Sequence, residues 1–342
     1  MGKLNTDEAP SRGFVGRLFS SWVKWGYGLA SRRVRNGLAH VLGLLPFYRR
    51  TLKPLMFPAA SKDGLATLSF PTFVMYVDPK DTMGDMAMGK TWEVATTLVF
   101  EHLIRPGDVV VDVGAHWGYF SLLAATLCTE TGKVYAFEPH PKNFAMLAKN
   151  IAANHLSNVV TVQSAVSNRD GSTQMFEATG SMGHSVNTLP PEWRALDGAT
   201  PRAISVRTVK LDDFFANNPV QPRLVKMDIE GAERLAVAGM QSLIERNPSL
   251  VLILEFNPTY LKGQAATDFL DQLAAYGFDV AIINDDRHQL AVGPKAAVLK
   301  RLLAEGITCN LLAARDPSLF DDLFQQQEGS GKGLRRLERV RL

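Results

Sequence analysis

The sequence of 342 residues contains few cysteines and no long apolar segment. Its two cysteines, Cys128 and Cys309, are too few for a disulfide framework or a cysteine zinc cluster, so nothing indicates an oxidising compartment. No apolar run reaches the roughly 18 residues that a membrane-spanning helix needs, since the best candidate, residues 36–48, contains His40 and Pro46. No charged and then apolar leader opens the chain. We therefore expect a cytoplasmic protein.

Acidic residues are missing from residues 9–62, although charge is nearly balanced over the whole chain. Residues 1–62 contain eleven Lys and Arg against two acids, and their apolar residues recur at helical spacing, as in Phe14, Leu18 and Trp22. An amphipathic helix with aromatic and basic faces suits an anionic membrane surface, so we expect peripheral attachment to the inner face of the membrane. The alternatives are packing on the main domain, or contact with a protein or nucleic acid.

Short strand patterns alternate with helical patterns from residue 101 onward, which predicts a doubly wound α/β sheet. Five runs are continuous rather than alternating in hydrophobicity, as strands covered on both faces require: Val109–Val113, Val134–Phe137, Val159–Val162, Leu224–Met227 and Leu250–Phe256. The runs Val280–Ile283 and Thr308–Ala313 complete a count of seven strands. Four runs between them predict helices: Phe120–Cys128, Asn143–Ala153, Glu233–Ile244 and Ala265–Tyr276. The stretch Ala178–Ala203 is rich in Gly, Ser, Pro and Met and predicts a long loop.

These patterns divide the chain into four predicted regions. Residues 1–62 form a basic amphipathic helical extension, and residues 63–100 contain two strands, Leu65–Leu68 and Phe73–Val77, with a connector. Residues 101–320 are predicted to form the α/β domain. Residues 321–342 are predicted to form a basic tail that contains a linker and a short basic helix.

A glycine turn follows the first buried strand of the predicted sheet. Asp112 lies near the end of this strand, and Gly114 and Gly118 follow it. Ligands of open α/β sheets bind beyond the carboxyl ends of the strands, where glycine lets the backbone approach them closely. The spacing is G-x-x-x-G and no Lys-Ser/Thr pair follows, so neither a dinucleotide fingerprint nor a phosphate-binding loop is present.

An acidic residue, Glu138, ends the second strand twenty residues after Gly118. A carboxylate in this position can accept hydrogen bonds from both hydroxyls of a ribose. The alternative is that Glu138 is a surface acid that caps the following helix. His140, near the start of that helix, is expected on the surface. The third strand is followed by Ser164 and Ala165, where contacts to an adenine are expected.

Acidic residues also cluster after the fourth and fifth strands. Asp228, Glu230 and Glu233 follow one strand, and Glu255 and Asn257 lie at the end of the next. Neighbouring carboxylates raise one another's pKa, as a general base working near neutral pH requires. Glu233 is expected to cap the following helix. Two alternatives remain open: the acids only hold structure or cofactor, or Asp228, Glu255 and Asn257 bind a divalent cation such as magnesium.

The whole ordered set resembles the FkbM family of S-adenosylmethionine-dependent methyltransferases. The resemblance is carried by the glycine turn, Glu138-Pro139, the run 228–233 and Glu255, together with residues 77–81 and 92–93. It implies a class I methyltransferase fold, with a seven-stranded, mostly parallel sheet whose last strand is antiparallel. It also implies S-adenosylmethionine as cofactor and O-methylation, typically of a sugar or polyketide hydroxyl.

The resemblance also implies roles for individual residues. Asp112, Gly114 and Gly118 would bind the methionine part of the cofactor, and Glu138 would bind the ribose. Ser164 and Ala165 would contact the adenine edge, and Glu93 would lie near the cofactor amine or the site entrance. We assign Glu230 as the general base and Asp228 as the residue that orients cofactor or substrate, and we assign no metal ligand.

One departure concerns the glycine turn itself. His116 and Trp117 stand where the family commonly has a small polar residue, so the role of His116 is open. His184, in the predicted loop, is a candidate substrate contact or alternative base.

The sequence thus predicts an O-methyltransferase acting on a sugar, glycan, lipid-linked or polyketide-type acceptor. A cofactor-binding module without turnover is the first alternative, and the intact acidic cluster argues against it. An NAD(P)-dependent oxidoreductase is the second, and the glycine spacing argues against that. A nucleic acid substrate is not expected, because the run after the fourth strand differs from the Asn/Asp-Pro-Pro-aromatic tip used on bases. The acceptor itself and the oligomeric state are not predicted.

Overall fold

The computed structural model describes residues 64–78, 92–177, 184–185, 202–257, 261, 264–306, 308–325 and 337–342. The chain divides into two compact units, residues 1–68 with 76–90 and residues 69–75 with 91–342. Every side chain of the candidate site belongs to the second unit. The predicted helical extension over residues 1–62 and most of the predicted loop over residues 178–203 lie outside the described residues.

The strands are numbered in chain order: β1 (Ala66–Ser69), β2 (Val74–Val77), β3 (Val109–Val113), β4 (Lys133–Phe137), β5 (Val159–Val162), β6 (Ala165–Val166), β7 (Gly171–Glu177), β8 (His184–Ser185), β9 (Arg202–Val209), β10 (Pro222–Met227), β11 (Val251–Phe256), β12 (Asp279–Asn284), β13 (Gln289–Val292), β14 (Cys309–Ala314) and β15 (Glu338–Arg341). The helices are α1 (Val94–Leu103), α2 (Tyr119–Cys128), α3 (Pro141–Ala153), α4 (Leu211–Phe214), α5 (Glu233–Ala238), α6 (Gln241–Arg246), α7 (Gln264–Ala275), α8 (Lys295–Glu305) and α9 (Ser318–Gln325). Strands β1 and β2 form a small two-stranded sheet.

The main sheet has the strand order β5-β4-β3-β10-β11-β14-β12-β13-β15. The first five of these strands pair in parallel, and β14 pairs antiparallel with both β11 and β12. This confirms the seven predicted strands, the antiparallel last strand and the class I methyltransferase fold, and β13 and β15 extend the predicted sheet at one edge. The strand order reverses between β3 and β10, and ligands of open α/β sheets bind at such a point.

The central strands are buried on both faces, which explains why their sequences lack alternation. On one face Val111, Val225 and Leu252 are fully buried and belong to one large hydrophobic cluster. On the opposite face Val110 and Leu224 are equally inaccessible. A strand covered on both faces gains burial from every apolar residue, so a continuous apolar run is the stable sequence.

A second sheet has the order β6-β9-β7-β8, and the sequence analysis did not predict its long strands. Strand β9 pairs antiparallel with β7 and parallel with β6. Apolar and polar residues alternate along part of β9: Val206 is buried, whereas Ser205 and Arg207 on either side of it are exposed. This period of two was the available signal for a half-buried strand.

The single helix predicted over Glu233–Ile244 is wrong, because the chain forms two short helices, α5 and α6. A Cβ atom on Gly239, at the break, would overlap the backbone carbonyl oxygen of Ser167. The carboxylate of Asp212 accepts hydrogen bonds from the backbone N–H groups of Ser242 and Leu243, at 3.0 and 2.8 Å. The break is thus required by close packing, and a distant acid satisfies the start of the second helix.

The short basic helix predicted in the C-terminal tail is also wrong over its described part. Residues Glu338–Arg341 form β15, which pairs in parallel with β13. Sheet pairing overrides the helical spacing of the basic residues here, because the edge of β13 offers unpaired backbone groups. In the part of the chain that the structure describes, no helix has the length and apolar character to cross a membrane.

Candidate functional site

The tips of β3 and β4 are joined by hydrogen bonds that hold the Glu138 carboxylate. The N–H groups of Gly114 and Ala115 both donate to the carbonyl oxygen of Phe137, at 2.9 and 3.0 Å. Oε2 of Glu138 accepts a hydrogen bond from the backbone N–H of His116, and Oε1 accepts one from that of His140, both at 2.8 Å. Glu138 is therefore oriented by the turns after both strands.

Glu138 is 4% exposed, so its charge is largely removed from water. Burial raises the pKa of Glu138 from 4.5 to about 7, although the backbone hydrogen bonds from His140 and His116 act in the opposite direction. The alternative of an exposed acid is wrong. Glu138 is a buried acceptor whose protonation changes near neutral pH.

The glycines of the turn are required by packing between strand tips as well as by backbone geometry. Gly114 and Gly118 have φ values of +81° and +96°, a region that favours glycine. A Cβ atom on Gly114 would overlap the carbonyl oxygen of Asp228, and one on Gly118 would lie 2.6 Å from a methyl group of Leu147. The turn therefore lies directly against the tip of β10.

Asp112 points into the protein, where it is 1% exposed. Its Oδ2 accepts a hydrogen bond of 2.6 Å from the Ser121 hydroxyl. Burial raises the pKa of Asp112, while the nearby charge of Lys226 opposes this shift. Asp112 thus supports the floor of the site through Ser121 and Lys226.

A buried lysine, Lys226, lies at the centre of the acidic groups. Its ammonium is 2.9 Å from Oδ2 of Asp228 and 4.7 Å from the ring centroid of Phe120. Burial alone would lower the pKa of Lys226, but the charges of Asp228, Glu93 and Asp112 raise it above its usual value. Lys226 therefore stays charged and compensates part of the surrounding negative charge. Lys226 was not predicted as a site residue, although a lysine within the apolar run Leu224–Met227 indicates a buried charge that needs a partner.

Glu93 precedes α1 in a left-handed backbone conformation with φ of 40°. Its two carboxylate oxygens accept hydrogen bonds from the Trp92 indole N–H at 3.1 Å and from the Asn310 amide at 3.0 Å. Burial raises the pKa of Glu93 from 4.5 to about 7, and Lys226 acts against this shift. Glu93 therefore interacts electrostatically with Lys226.

Asn310 and Asp285, two further residues that the sequence analysis missed, hold α1 beside the sheet. The Asn310 amide also donates to the Thr96 hydroxyl at 3.0 Å. The Asp285 carboxylate accepts hydrogen bonds from the N–H and the hydroxyl of Thr96, at 3.0 and 2.8 Å. This network fixes the start of α1 and therefore the position of Glu93.

Carboxylates also converge at the tips of β10 and β11. Asp228, Glu230 and Glu255 each place one oxygen within 4.8 Å of the other two. Burial first, and then the charges of Asp228 and Glu233, raise the pKa of Glu230 from 4.5 to about 8. Burial and the charge of Glu230 raise the pKa of Glu255 well above its usual value. The cluster can store a proton, or it can hold a cation.

The cation-binding alternative gains one residue from this geometry. The predicted ligands were Asp228, Glu255 and Asn257, and the structure adds Glu230 to the two carboxylates. Oε2 of Glu255 is buried and accepts no hydrogen bond from the described residues. Oxygen ligands of this kind suit magnesium or manganese.

Glu233 plays a different part from its acidic neighbours. Its Oε1 accepts hydrogen bonds from the backbone N–H groups of Ile229 and Gly231, at 3.0 and 3.4 Å. It is 2% exposed. Glu233 thus fixes the turn that leads into α5, near the place where a helix cap was expected.

Ser164 and Ala165 lie where β5 leads into the second sheet. Ser164 is 1% exposed, and its hydroxyl donates to the carbonyl oxygen of Gln163 at 2.8 Å. Ala165 begins β6 and pairs with Thr208 of β9. Their contact with an adenine stays a prediction.

The expectation that His140 lies on the surface is wrong. His140 is 2% exposed, and its ring Nε2 lies 2.8 Å from Oε1 of Glu177. The burial of His140 could not be predicted from the sequence, because its partner Glu177 is far away in the chain and lies in a strand that was not predicted. For His184 only the backbone is described, as part of β8.

Comparison with known proteins identifies the central part of the chain. Residues 112–280 match the family model of the methyltransferase FkbM domain. The chain is 32% identical over 161 residues to 31-O-demethyl-FK506 methyltransferase FkbM of Streptomyces tacrolimicus, a match that covers 40% of this chain and 61% of that protein. It is 25% identical over 139 residues to the hexuronic acid methyltransferase AglP of Haloferax volcanii, covering 40% of this chain and 52% of that protein. These matches therefore span between about half and two thirds of the relatives' lengths.

A likeness to solved structures is present but weak. Methyltransferase FkbM from Methylobacillus flagellatus KT aligns with a TM-score of 0.36 and 15% identity, covering 62% of this chain and 49% of that one. A TM-score this low adds nothing to what the strand order already shows about the fold. The sequence match and the strand order agree, and residues 112–280 form a domain of the FkbM methyltransferase family.

Proposed function

We propose that this protein transfers a methyl group from S-adenosylmethionine to a hydroxyl group of its acceptor. The observation that carries the proposal is the buried Glu138 carboxylate, which the backbone of two strand turns orients beside the acidic cluster at the neighbouring tips. The FkbM domain and the relatives named as methyltransferases support it.

In this proposal Glu138 binds the ribose hydroxyls of the cofactor. An ionised carboxylate offers about four acceptor positions, so the two backbone hydrogen bonds leave capacity for further donors. Gly114 and Gly118 would lie along the methionine part, with the buried Asp112 beneath them, and Ser164 and Ala165 would lie beside the adenine edge. The residues present therefore fit an adenosyl group on chemical grounds.

The acidic groups around the site would attract the positive end of the cofactor. Glu93, Asp228, Glu230 and Glu255 lie near one another, and Lys226 is the cation that the described residues contribute among them. A sulfonium and an ammonium group would restore the balance of charge. Glu93 would contact the amine, and its hydrogen bond from Asn310 would hold it in place.

When bound, the cofactor supplies an already activated methyl group, so the protein must position the acceptor oxygen and remove its proton. Positioning of this kind can supply roughly 7–11 kcal/mol of the barrier. Glu230 would act as the general base, since its raised pKa of about 8 lets it accept and release a proton near neutral pH. Asp228, held by Lys226, would orient the acceptor or the cofactor.

A divalent cation is the second candidate for activating the hydroxyl. The three oxygens of Asp228, Glu230 and Glu255 and the buried Oε2 of Glu255 favour it. In that case the cation would lower the pKa of the hydroxyl and Glu230 would be a ligand. Activity that is lost with a chelator and restored by magnesium would distinguish the cation from the base.

The proposed acceptor is a sugar, glycan, lipid-linked or polyketide-type molecule. The names of the relatives include a 31-O-demethyl-FK506 methyltransferase and a hexuronic acid methyltransferase, which supports an oxygen nucleophile. The test is incubation with a methyl-labelled donor and fractionated cell extracts. Transfer of label to a carbohydrate or lipid fraction, in a bond stable to mild base, is expected. Donor binding without transfer to any fraction would instead indicate a binding module.

We also propose that residues 1–62 attach the protein to anionic membranes from the cytoplasmic side. The proposal is supported by the charge of this segment, which contains eleven basic residues and two acids. Deleting residues 1–61 should abolish sedimentation with anionic vesicles, and added salt should weaken sedimentation of the full chain. Vesicles of neutral lipid are the control. Undiminished sedimentation of the shortened protein would contradict the proposal.

A further inference from the structure

We propose that Glu177 and His140 form a positioning pair that holds Glu138 in its ligand-binding orientation, an inference that rests on the proposed function. Glu177 ends β7 of the second sheet, whereas Glu138 follows β4 of the main sheet. His140 joins them. Its ring Nε2 lies 2.8 Å from Oε1 of Glu177, and its backbone N–H donates to Oε1 of Glu138 at 2.8 Å.

The chain around His140 is stiff, so a change at its ring reaches its backbone. Pro139 and Pro141 flank it, and each proline ring fixes φ and restricts the residue before it. His140 also directly precedes α3 and is 2% exposed, so close packing limits other orientations of the ring. Losing the partner of the ring should therefore displace the N–H group that Glu138 accepts.

The contact between Glu177 and His140 is stronger than an ordinary surface contact. The hydrogen bond to His140 is the main reason that the pKa of Glu177 is lowered, and the charges of His140 and Arg202 add to it. An ionised acceptor makes a hydrogen bond about twice as strong as a neutral one. The Glu177 side chain is 19% exposed, so water screens the contact only partly.

Arg202 supplies a matched control on the other side of the same carboxylate. Its Nε lies 3.7 Å from Oε2 of Glu177, and the two residues are register partners in β7 and β9. Its side chain is 79% exposed, and exposed ion pairs contribute little. Removing Arg202 should therefore leave the pair of Glu177 and His140 intact.

The second sheet then contributes to the cofactor site at two places. Its strand β6 contains Ala165, which is predicted to contact the adenine, and its strand β7 ends at Glu177. Strand β9 pairs with both and links them. Cofactor affinity would thus depend on a sheet that contains none of the proposed catalytic residues.

The test measures the dissociation constant of S-adenosylhomocysteine by calorimetry in the full chain. Glu177→Ala should weaken binding about tenfold, equivalent to ~1.4 kcal/mol, and Glu177→Gln, which keeps a hydrogen-bonding group, about threefold. Arg202→Ala should change it less than twofold. The turnover number at saturating methyl donor should stay within twofold in all three variants. Glu177→Ala combined with His140→Ala should bind no more weakly than His140→Ala alone, because the two residues act as a unit.

A purely structural role would give a different pattern. It would lower the melting temperature and the fraction of binding-competent protein, but it would leave the dissociation constant of the folded protein unchanged. An unchanged constant in Glu177→Ala, additive effects in the double variant, or an equal effect of Arg202→Ala would each overturn the pair. If Glu177→Ala does not fold, Glu177→Gln decides by the same criterion. Failure of the wild-type protein to bind would instead overturn the proposed function.

Discussion

Two pairs of strand tips in the main sheet hold carboxylates in different ways. At the tips of β3 and β4, Glu138 accepts hydrogen bonds from the backbone N–H groups of His116 and His140. At the tips of β10 and β11, Glu230 and Glu255 lie close to one another and to Asp228. Burial raises the pKa of the acids in both places, to about 7 for Glu138 and about 8 for Glu230.

The difference lies in what surrounds each charge. Backbone N–H groups in fixed turns orient Glu138 before any ligand arrives, so little reorganisation is needed on binding. Burial and neighbouring carboxylates instead raise the pKa of Glu230 and of Glu255, so a proton or a cation in this cluster would relieve the repulsion between them. The first pair of tips is therefore suited to binding a ligand, and the second to accepting and releasing a proton.

The largest expected effect comes from removing the carboxylate of Glu230, the proposed general base. Glu230→Gln should lower the turnover number by about 10²–10⁴-fold, because general-base assistance is lost. Cofactor affinity should stay within about twofold, since the amide resembles the protonated acid. Rates and calorimetry on the same protein sample measure both. Glu245→Gln, on the exposed surface of α6, is the control. Turnover at the wild-type rate would remove Glu230 as the base.

A second prediction concerns Lys226, which compensates the acids at the second pair of tips. Lys226→Met keeps the length of the side chain but leaves buried carboxylates without their cation. We expect the free energy of unfolding to fall by about 3–5 kcal/mol at neutral pH. Urea denaturation measures this change. The loss should become smaller at pH 5, where more of the acids are protonated.

Lys210→Met is the matched control for that experiment. Lys210 and Asp213 form an ion pair of 3.8 Å with side chains that are 32% and 56% exposed. Its loss should cost at most about 1 kcal/mol. An equal cost for the two lysine variants would show that the acids near Lys226 need no compensating charge.

Much of the fold was predictable because the main sheet is buried on both faces. Apolar runs in the sequence identified the seven predicted strands, and the resemblance implied that the last of them, β14, is antiparallel. Strands β7 and β9 were missed because their partners are distant in the chain and only their alternation marks them. Strand β15 was predicted as a helix because basic residues at helical spacing carry no information about an open sheet edge.

The candidate site was predictable where an acidic residue follows a predicted strand. Glu138, Asp228 and Glu230 were predicted from such positions, and the structure shows them buried or converging. Asn310 and Glu177 were not, because each contacts a residue far away in the sequence. Supporting contacts of this kind depend on tertiary packing, which spacing along the chain does not encode.

The smallest expected effect tests the first pair of tips through pH. Because the pKa of Glu138 is raised to about 7, the carboxylate is largely protonated at pH 6 and ionised at pH 8. In the proposed complex the ionised form accepts hydrogen bonds from the ribose hydroxyls better than the protonated form, so affinity for S-adenosylhomocysteine should rise about tenfold between these values. Glu138→Gln should bind more weakly and with little pH dependence, whereas Glu130→Gln, on the surface, should behave like the wild type.

The stability of the ligand-free protein should change with pH in the opposite direction. Glu138 keeps its proton to a higher pH in the folded chain than in the unfolded one, where its pKa is near 4.5. The stability gained from this shift is present below about 4.5 and is lost as pH rises through 7. Urea denaturation between pH 5 and pH 8 should therefore show a falling free energy of unfolding, with a smaller fall in Glu138→Gln. Equal slopes in the two proteins, together with an affinity that does not depend on pH, would mean that Glu138 is ionised throughout. The two pairs of tips would then differ in charge as well as in their hydrogen-bond donors, since the backbone donors would keep Glu138 ionised while Glu230 still holds a proton.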